Sequence, residues 1–143
     1  MNALGGYDIE DLQPGQTASF AKTVTEADIL LFAAVSGDLN AVHLNEEFAA
    51  TTQFGGRIAH GMLTAGFISA VLGNRLPGPG TIYLGQTLRF KAPVRPGETV
   101  TATVTVREVI TQKRRAILET VCTVAGKVVL EGEATVLATS RQA

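Results

Sequence analysis

One cysteine in 143 residues, Cys122, excludes an intramolecular disulfide. It sits in the alternating apolar run Thr120-Val121-Cys122-Thr123-Val124, where a buried, inert thiol is expected. Charge of either sign is also in short supply as an excess: 13 acidic against 12 basic side chains leave a net charge of −1. That balance provides no basic face for a nucleic-acid backbone, so no nucleic-acid partner is expected. The opening residues Met1-Asn2-Ala3-Leu4-Gly5-Gly6 lack the basic region and the long apolar core of a signal peptide. No uninterrupted apolar stretch reaches the length that spans a bilayer. The expected address is therefore cytoplasmic, with no membrane partner. There is no internal repeat and no linker, and one domain over residues 1–143 accounts for the chain. What is present is ordinary globular material, with 45% apolar and 17% charged residues, enough to bury a real core.

The pattern along the chain changes character midway. Leu12-Gln13-Pro14-Gly15 is a turn signal leading into a short strand over Thr17 to Val24. Thr25-Glu26-Ala27-Asp28 reads as a helix start, with Thr25 as cap and acids in the first turn. Apolar Ile29, Leu30, Phe32, Ala33 and Val35 carry the helix to a stop at Gly37. A second short helix is expected over Asn45 to Thr51, capped by Asn45, before Gly55-Gly56 breaks the chain. Gly61 to Leu72 is the longest helical run and is apolar nearly all round, which predicts burial on every side. Gly66 within it costs roughly 1 kcal/mol of helix propensity relative to Ala, so close packing against it is expected.

After Leu76-Pro77-Gly78-Pro79-Gly80 the period becomes that of strands: Thr81 to Lys91, Glu98 to Ile110, Arg115 to Val124 and Val128 to Ala138. Ala125-Gly126-Lys127 forms a hairpin turn between the last two. One buried helix followed by long antiparallel strands predicts an α+β sheet curled around that helix. The open sheet edges predict a homodimer.

Candidate chemistry sits in Gly37-Asp38-Leu39-Asn40-Ala41-Val42-His43 and Ala59-His60-Gly61-Met62. Asp38 and His43 are a carboxylate and an imidazole in a bendable stretch, able to share one water. Gly61 opens the helical run, where a bare backbone N–H can face a developing oxyanion. Taken singly, Asp38 reads as a turn former and His43 as a structural imidazole. Together with Gly61 they read as acid, base and oxyanion donor. His60 is expected to hydrogen-bond to backbone in a structural role. Asp38, His43 and His60 do not form a recognised metal-ligand set, and no metal is expected. Gly55-Gly56-Arg57 lacks the strand–Gly-rich–helix order of a phosphate loop and reads as a plain turn. Lys113-Arg114-Arg115 reads as a charged hairpin tip.

Three separated blocks carry a resemblance: Gly37 to His43, Ile58-Ala59-His60-Gly61-Met62-Leu63, and Leu88-Arg89-Phe90-Lys91-Ala92-Pro93-Val94-Arg95-Pro96-Gly97-Glu98. In this order, over about residues 15 to 138, the chain resembles the MaoC-like (R)-specific enoyl-CoA hydratase family, in particular its short bacterial members that feed polyhydroxyalkanoate synthesis. The resemblance implies a hot-dog fold, a dimer, and hydration of trans-2-enoyl-CoA to (R)-3-hydroxyacyl-CoA. An acyl-CoA thioester is then the substrate, and CoA enters only as part of it, with no separate cofactor. By the same resemblance Asp38 and His43 are catalytic, Gly61 holds the thioester oxygen, Asn40 is the residue between the pair, and Ser69 lies near the substrate. Arg89 and Lys91, with Arg95, are candidates to meet CoA phosphates, or else belong to a solvated strand face. Where the family commonly has Pro after the Asn, this chain has Ala41, which removes a stiffening element but no reacting group. Two other readings stay open: a hot-dog acyl-CoA thioesterase, and a non-catalytic acyl-binding domain. Residues 61–73 contain no Asp or Glu, which weighs against hydrolysis by an acid on the helix.

Overall fold

The computed structural model describes residues 1–142. Five antiparallel strands, β1 (Thr17–Thr23), β2 (Ile82–Phe90), β3 (Thr99–Ile110), β4 (Arg115–Val124) and β5 (Lys127–Leu137), form one sheet in the order β1-β3-β4-β5-β2. Helix α4 (Gly61–Asn74) packs on one face of it, touching β1, β2, β3 and β4. Three shorter helices, α1 (Glu26–Ser36), α2 (Ala41–Leu44) and α3 (Glu46–Ala50), lie between β1 and α4 in the chain. This is the α+β hot-dog arrangement, a sheet wrapped around a central helix.

The strands follow from their side-chain period. On β3, Val100, Ala102, Val104 and Val106 point inward and are buried, while the alternate threonines face outward. Those outward hydroxyls pair across to β1, Thr17 with Thr105, Ser19 with Thr103 and Thr23 with Thr99, which pins the register of an edge strand. The β4–β5 hairpin turns on Ala125 and Gly126, both at positive φ (49° and 80°), as a two-residue turn matched to the strand twist requires. Helix α1 begins with a reciprocal cap: Thr25 Oγ1 accepts from the Asp28 N–H, and the Asp28 carboxylate accepts from the Thr25 N–H. It ends on Gly37 in the left-handed region (φ 81°), which turns the chain toward Asp38.

Two expectations about the central helix need correcting. Leu63, Thr64, Ala65, Ile68, Val71 and Leu72 are buried against the sheet, each large aliphatic among them contributing roughly 1.5–3 kcal/mol. The opposite side is open in the single chain: Met62 is 56% exposed, and Gly66, Ser69 and Gly73 are exposed with it. A Cβ at Gly66 would meet nothing within 4 Å, so no neighbour packs closely there. Hydropathy made the helix look buried all round because small residues and Met count as apolar wherever they face. A third difference lies at residues 41–44, where the chain makes a full helical turn, α2, in place of a flexible loop. Asn45 then caps α3 by accepting from the Phe48 N–H.

Cys122 is fully buried, and burial pushes its thiol up to about 12. Its nearest polar partner is the Thr64 carbonyl oxygen, 3.9 Å from Sγ. Among the described residues, no helix is long and apolar enough to cross a membrane.

Candidate active site

The Asp38–His43 stretch is built by local capping. Asn40 is the N-cap of α2, its Oδ1 accepting from the Val42 N–H at 3.1 Å. One turn later this places His43 on the helix, 8% exposed, with its Nδ1 2.8 Å from the Ile58 carbonyl oxygen. A carbonyl only accepts, so Nδ1 carries the proton in the neutral ring and Nε2 is left with a free lone pair. Asp38 stays exposed just before the helix, with Oδ1 accepting from the Asn40 N–H at 3.2 Å. One carboxylate oxygen of Asp38, one ring nitrogen of His43 and one of His60 all lie within 4.8 Å of each other. A single water fits between acceptors at that spacing and can donate one hydrogen to each of two.

Gly61 is the first residue of α4 and His60 its N-cap. The His60 carbonyl accepts from the Leu63 and Thr64 N–H groups, at 3.1 and 3.4 Å. The Gly61 and Met62 N–H groups find no acceptor among the described residues, as is usual for the first turn of a helix. They point outward with the positive end of the helix dipole behind them. Phe90, at the end of β2, closes over this spot: a Cβ on residue 61 would lie 2.5 Å from Phe90 Cε1. A side chain at position 61 would fit only if the Phe90 ring moved aside.

Asp38, His60 and Gly61 line a cavity of about 430 Å³ with Phe54, Ile58 and Met62 among its apolar walls. Thr64, Phe90, Lys91, Val94, Val129 and Leu130 complete most of the rest. Its polar end thus holds a carboxylate and a helix N-terminus, with His43 just behind, and its body is apolar. The turn carrying Ile58 to Gly61 is held by Arg57, which pairs with Glu26 of α1 and with Glu46 of α3, the latter at 3.4 Å. These carboxylates also raise the Arg57 guanidinium above its ordinary value, the Glu26 hydrogen bond most.

The sequence candidates divide by position. Asp38 and Gly61 line the cavity, and His43 lies beside Asp38 without being one of its walls. Asn40 acts on the chain as a helix cap. Lys91 lines the cavity and sits 3.4 Å from Glu131. Arg89 lines a separate polar groove with Arg107, Glu119, Glu131 and Glu133, away from the apolar cavity. Ser69 lies on the open side of α4 and is not among the cavity walls of the single chain. Phe90, Met62 and Phe54 escaped the sequence reading. Phe90 stood inside one of the three resembling blocks, but only the β2–β5 pairing shows that it ends over Gly61.

His43 and His60 are stacked, with ring centres 3.9 Å apart and planes at 27°.

The family model described as MaoC like domain matches residues 11–130. The chain is 63% identical to an (R)-specific enoyl-CoA hydratase of Rhodospirillum rubrum, over 92% of each chain. It is 54% identical to a 3-hydroxybutyryl-CoA dehydratase of Methylorubrum extorquens, over 89% of this chain and 81% of that one. Among solved structures, the unliganded R-hydratase PhaJ1 from Pseudomonas aeruginosa superposes with a TM-score of 0.89 at 47% identity, covering 95% of this chain and 88% of that one.

Proposed function

The chain belongs to the MaoC-like domain family, and we propose that it works as an (R)-specific enoyl-CoA hydratase, adding water reversibly to trans-2-enoyl-CoA to give (R)-3-hydroxyacyl-CoA. The observation that carries this reading is the placement of the Asp38 carboxylate and a His43 ring nitrogen within 4.8 Å of each other beside the free N–H of Gly61. Hydration of a conjugated thioester asks for three things there. The attacking water must lose a proton, C2 must gain one, and charge on the thioester oxygen must be met.

Asp38 and the free Nε2 of His43 each accept a hydrogen from one water, which turns an oxygen lone pair toward C3. As the C3–O bond forms, the proton passes to the pair, and the pair returns a proton to C2 on the same face, giving syn addition. The two groups act as one titrating unit, so base and acid are assigned to the pair. The Gly61 N–H, backed by the α4 dipole, donates to the enolate oxygen, typically worth about 2.7–4 kcal/mol of transition-state stabilisation. All of the chemistry comes from side chains and backbone, with CoA as part of the substrate and no further cofactor. Lys91, which lines the cavity, is the candidate we assign to a CoA phosphate.

Two further features support a homodimer. The edge strand β2 exposes Ile82, Tyr83 and Leu84, and the open side of α4 adds Met62. A second copy covering these would remove an unpaired sheet edge. The reading goes with a cytoplasmic address, and polyester-precursor supply is one route that draws on the product.

The experiment is incubation of the purified protein with crotonyl-CoA, following the conjugated enoyl absorbance and free thiol together. Loss of absorbance without thiol release is expected. Thiol release would point to a thioesterase instead, and no change in either signal would point to a non-catalytic acyl-binding domain.

A further inference from the structure

His60 is buried to 1% exposure and takes no part in the hydration chemistry above, yet it touches every group that does. Its Nε2 donates to the backbone carbonyl of Asp38 at 3.0 Å, across 22 positions of sequence. One face of its ring stacks on His43 at 3.9 Å, and Phe32 packs against it at 4.8 Å with a 55° tilt. Its own backbone runs directly into Gly61 and caps α4. The other ring nitrogen, Nδ1, is buried and has no hydrogen-bond partner among the described residues. A buried polar atom left unpaired is unfavourable, so the ring is held there by what Nε2 and the two faces do.

The need for such a group is visible on Asp38. This residue is exposed and sits in the short segment between α1 and α2. Its N–H bonds to Ser36 Oγ at the last residue of α1 and its Oδ1 to the Asn40 N–H, both partners two positions away in sequence. Among the described residues, the bond from His60 is the one hydrogen bond that ties Asp38 to a residue distant in sequence. Without it the carboxylate would move with its loop relative to His43 and Gly61. Misplacement by about 1 Å is enough to cost on the order of a hundredfold in rate when the reacting groups must hold one water in common.

We propose that His60 is a positioning residue for hydration: its Nε2–H fixes Asp38 and its ring face sets the plane of His43, so that both meet the same water next to Gly61. The inference rests on the hydratase reading and deepens it. It differs from a plain structural role in one respect, since its effect on turnover passes through the Asp38–His43 pair.

Two substitutions separate the contacts. His60→Phe keeps a ring between Phe32 and His43 but loses the donor. His60→Gln keeps an amide N–H that can reach the Asp38 carbonyl but loses the stack. Each is made alone and in the Asp38→Asn background, which retains the carbonyl that His60 binds while removing the carboxylate it positions. Turnover of crotonyl-CoA and melting temperature are measured for all.

The expected result is a fall in kcat of tenfold or more for His60→Phe, with KM within about threefold and a smaller fall for His60→Gln. In Asp38→Asn, His60→Phe should lower the melting temperature as before but leave the residual kcat unchanged. Three results overturn the inference: near-normal kcat in His60→Phe, a loss equal to the fraction of protein unfolded, or the same fold-loss in both backgrounds. Wild-type protein that does not hydrate crotonyl-CoA overturns the function itself, an outcome distinct from an active wild type whose His60 variants are equally active.

Discussion

Gly61 and Phe90 are in such close contact that a Cβ on residue 61 would fall 2.5 Å from Cε1 and 2.8 Å from Cδ1 of the ring. The glycine lets Phe90 close one wall of the cavity and, on the proposed mechanism, leaves the N–H of the helix start open to a thioester oxygen. Gly61→Ala keeps that N–H but sets a methyl against the Phe90 ring, and should lower kcat/KM on the order of a hundredfold, the cost of displacing reacting groups by about 1 Å. Phe90→Val in the same chain, by making room for the methyl, should recover part of that loss. Full activity in Gly61→Ala alone would show that the wall tolerates change.

Asp38→Asn and His43→Gln should each remove about 10²- to 10⁴-fold of kcat, the usual contribution of a positioned acid or base. Their effects on folding should differ. Asp38 is exposed and its substitution should leave the melting temperature nearly as it was. His43 is buried and hydrogen-bonded to the Ile58 carbonyl, so its variant should melt lower. Circular dichroism melts beside crotonyl-CoA turnover check both halves.

Ala41→Pro should stabilise the protein by about 0.4–1 kcal/mol without loss of activity. Ala41 is the first residue of α2, where a missing N–H is harmless, and Asn40 before it already has the extended backbone (φ −54°, ψ 129°) that precedes a proline. The Asn40 cap and the Asn45 N–H to Ala41 carbonyl bond at 2.8 Å already hold this turn together. A urea midpoint below that of the parent would show that the backbone at 41 is strained by proline.

Asp8 ties the two ends of the domain together. Its carboxylate accepts from Thr139 Oγ1 at 2.6 Å and from Asn2 Nδ2 at 3.3 Å, and Arg141 lies 3.7 Å away. The Thr139 hydrogen bond, then that from Asn2 and the charge of Arg141, hold its carboxyl below the usual carboxylate range. A folded-state value below the unfolded one, about 3.9, means that the contribution to stability is full above that pH. It is lost as pH falls through the folded value. Asp8→Asn should therefore melt lower than the parent at pH 7, and the gap should narrow below about pH 4. A gap that stays constant down to pH 2.5 would mean that the charge on Asp8 is not what the ends share.

Much of the architecture was legible because it rests on local physics. The β3 and β4 alternation, the Ala125-Gly126 turn, the Thr25 cap and the Gly37 stop each need only neighbours within a few residues. The candidate site was legible for a different reason: Asp38, His43 and Gly61 are residue types with a narrow chemical repertoire, and two stand within six positions of each other. The open side of α4 was not legible, since Gly66, Ser69 and Met62 look alike to a hydropathy pattern whether a neighbour covers them or not. Nor was the parting of Arg89 from Lys91. These residues, two apart, line different hollows: Arg89 is still in β2, whereas Lys91 lies past its end at Phe90.

The sequence by itself determined the elements, their order and the candidate reacting groups, because periodicity, caps and side-chain chemistry are properties of short segments. Only the tertiary structure decided which groups meet. It brought Phe90 down on Gly61 from the end of β2, and it set His60 between Asp38 and His43. Such contacts arise when the sheet closes on α4, and no local pattern records the distance between residues that only packing brings together.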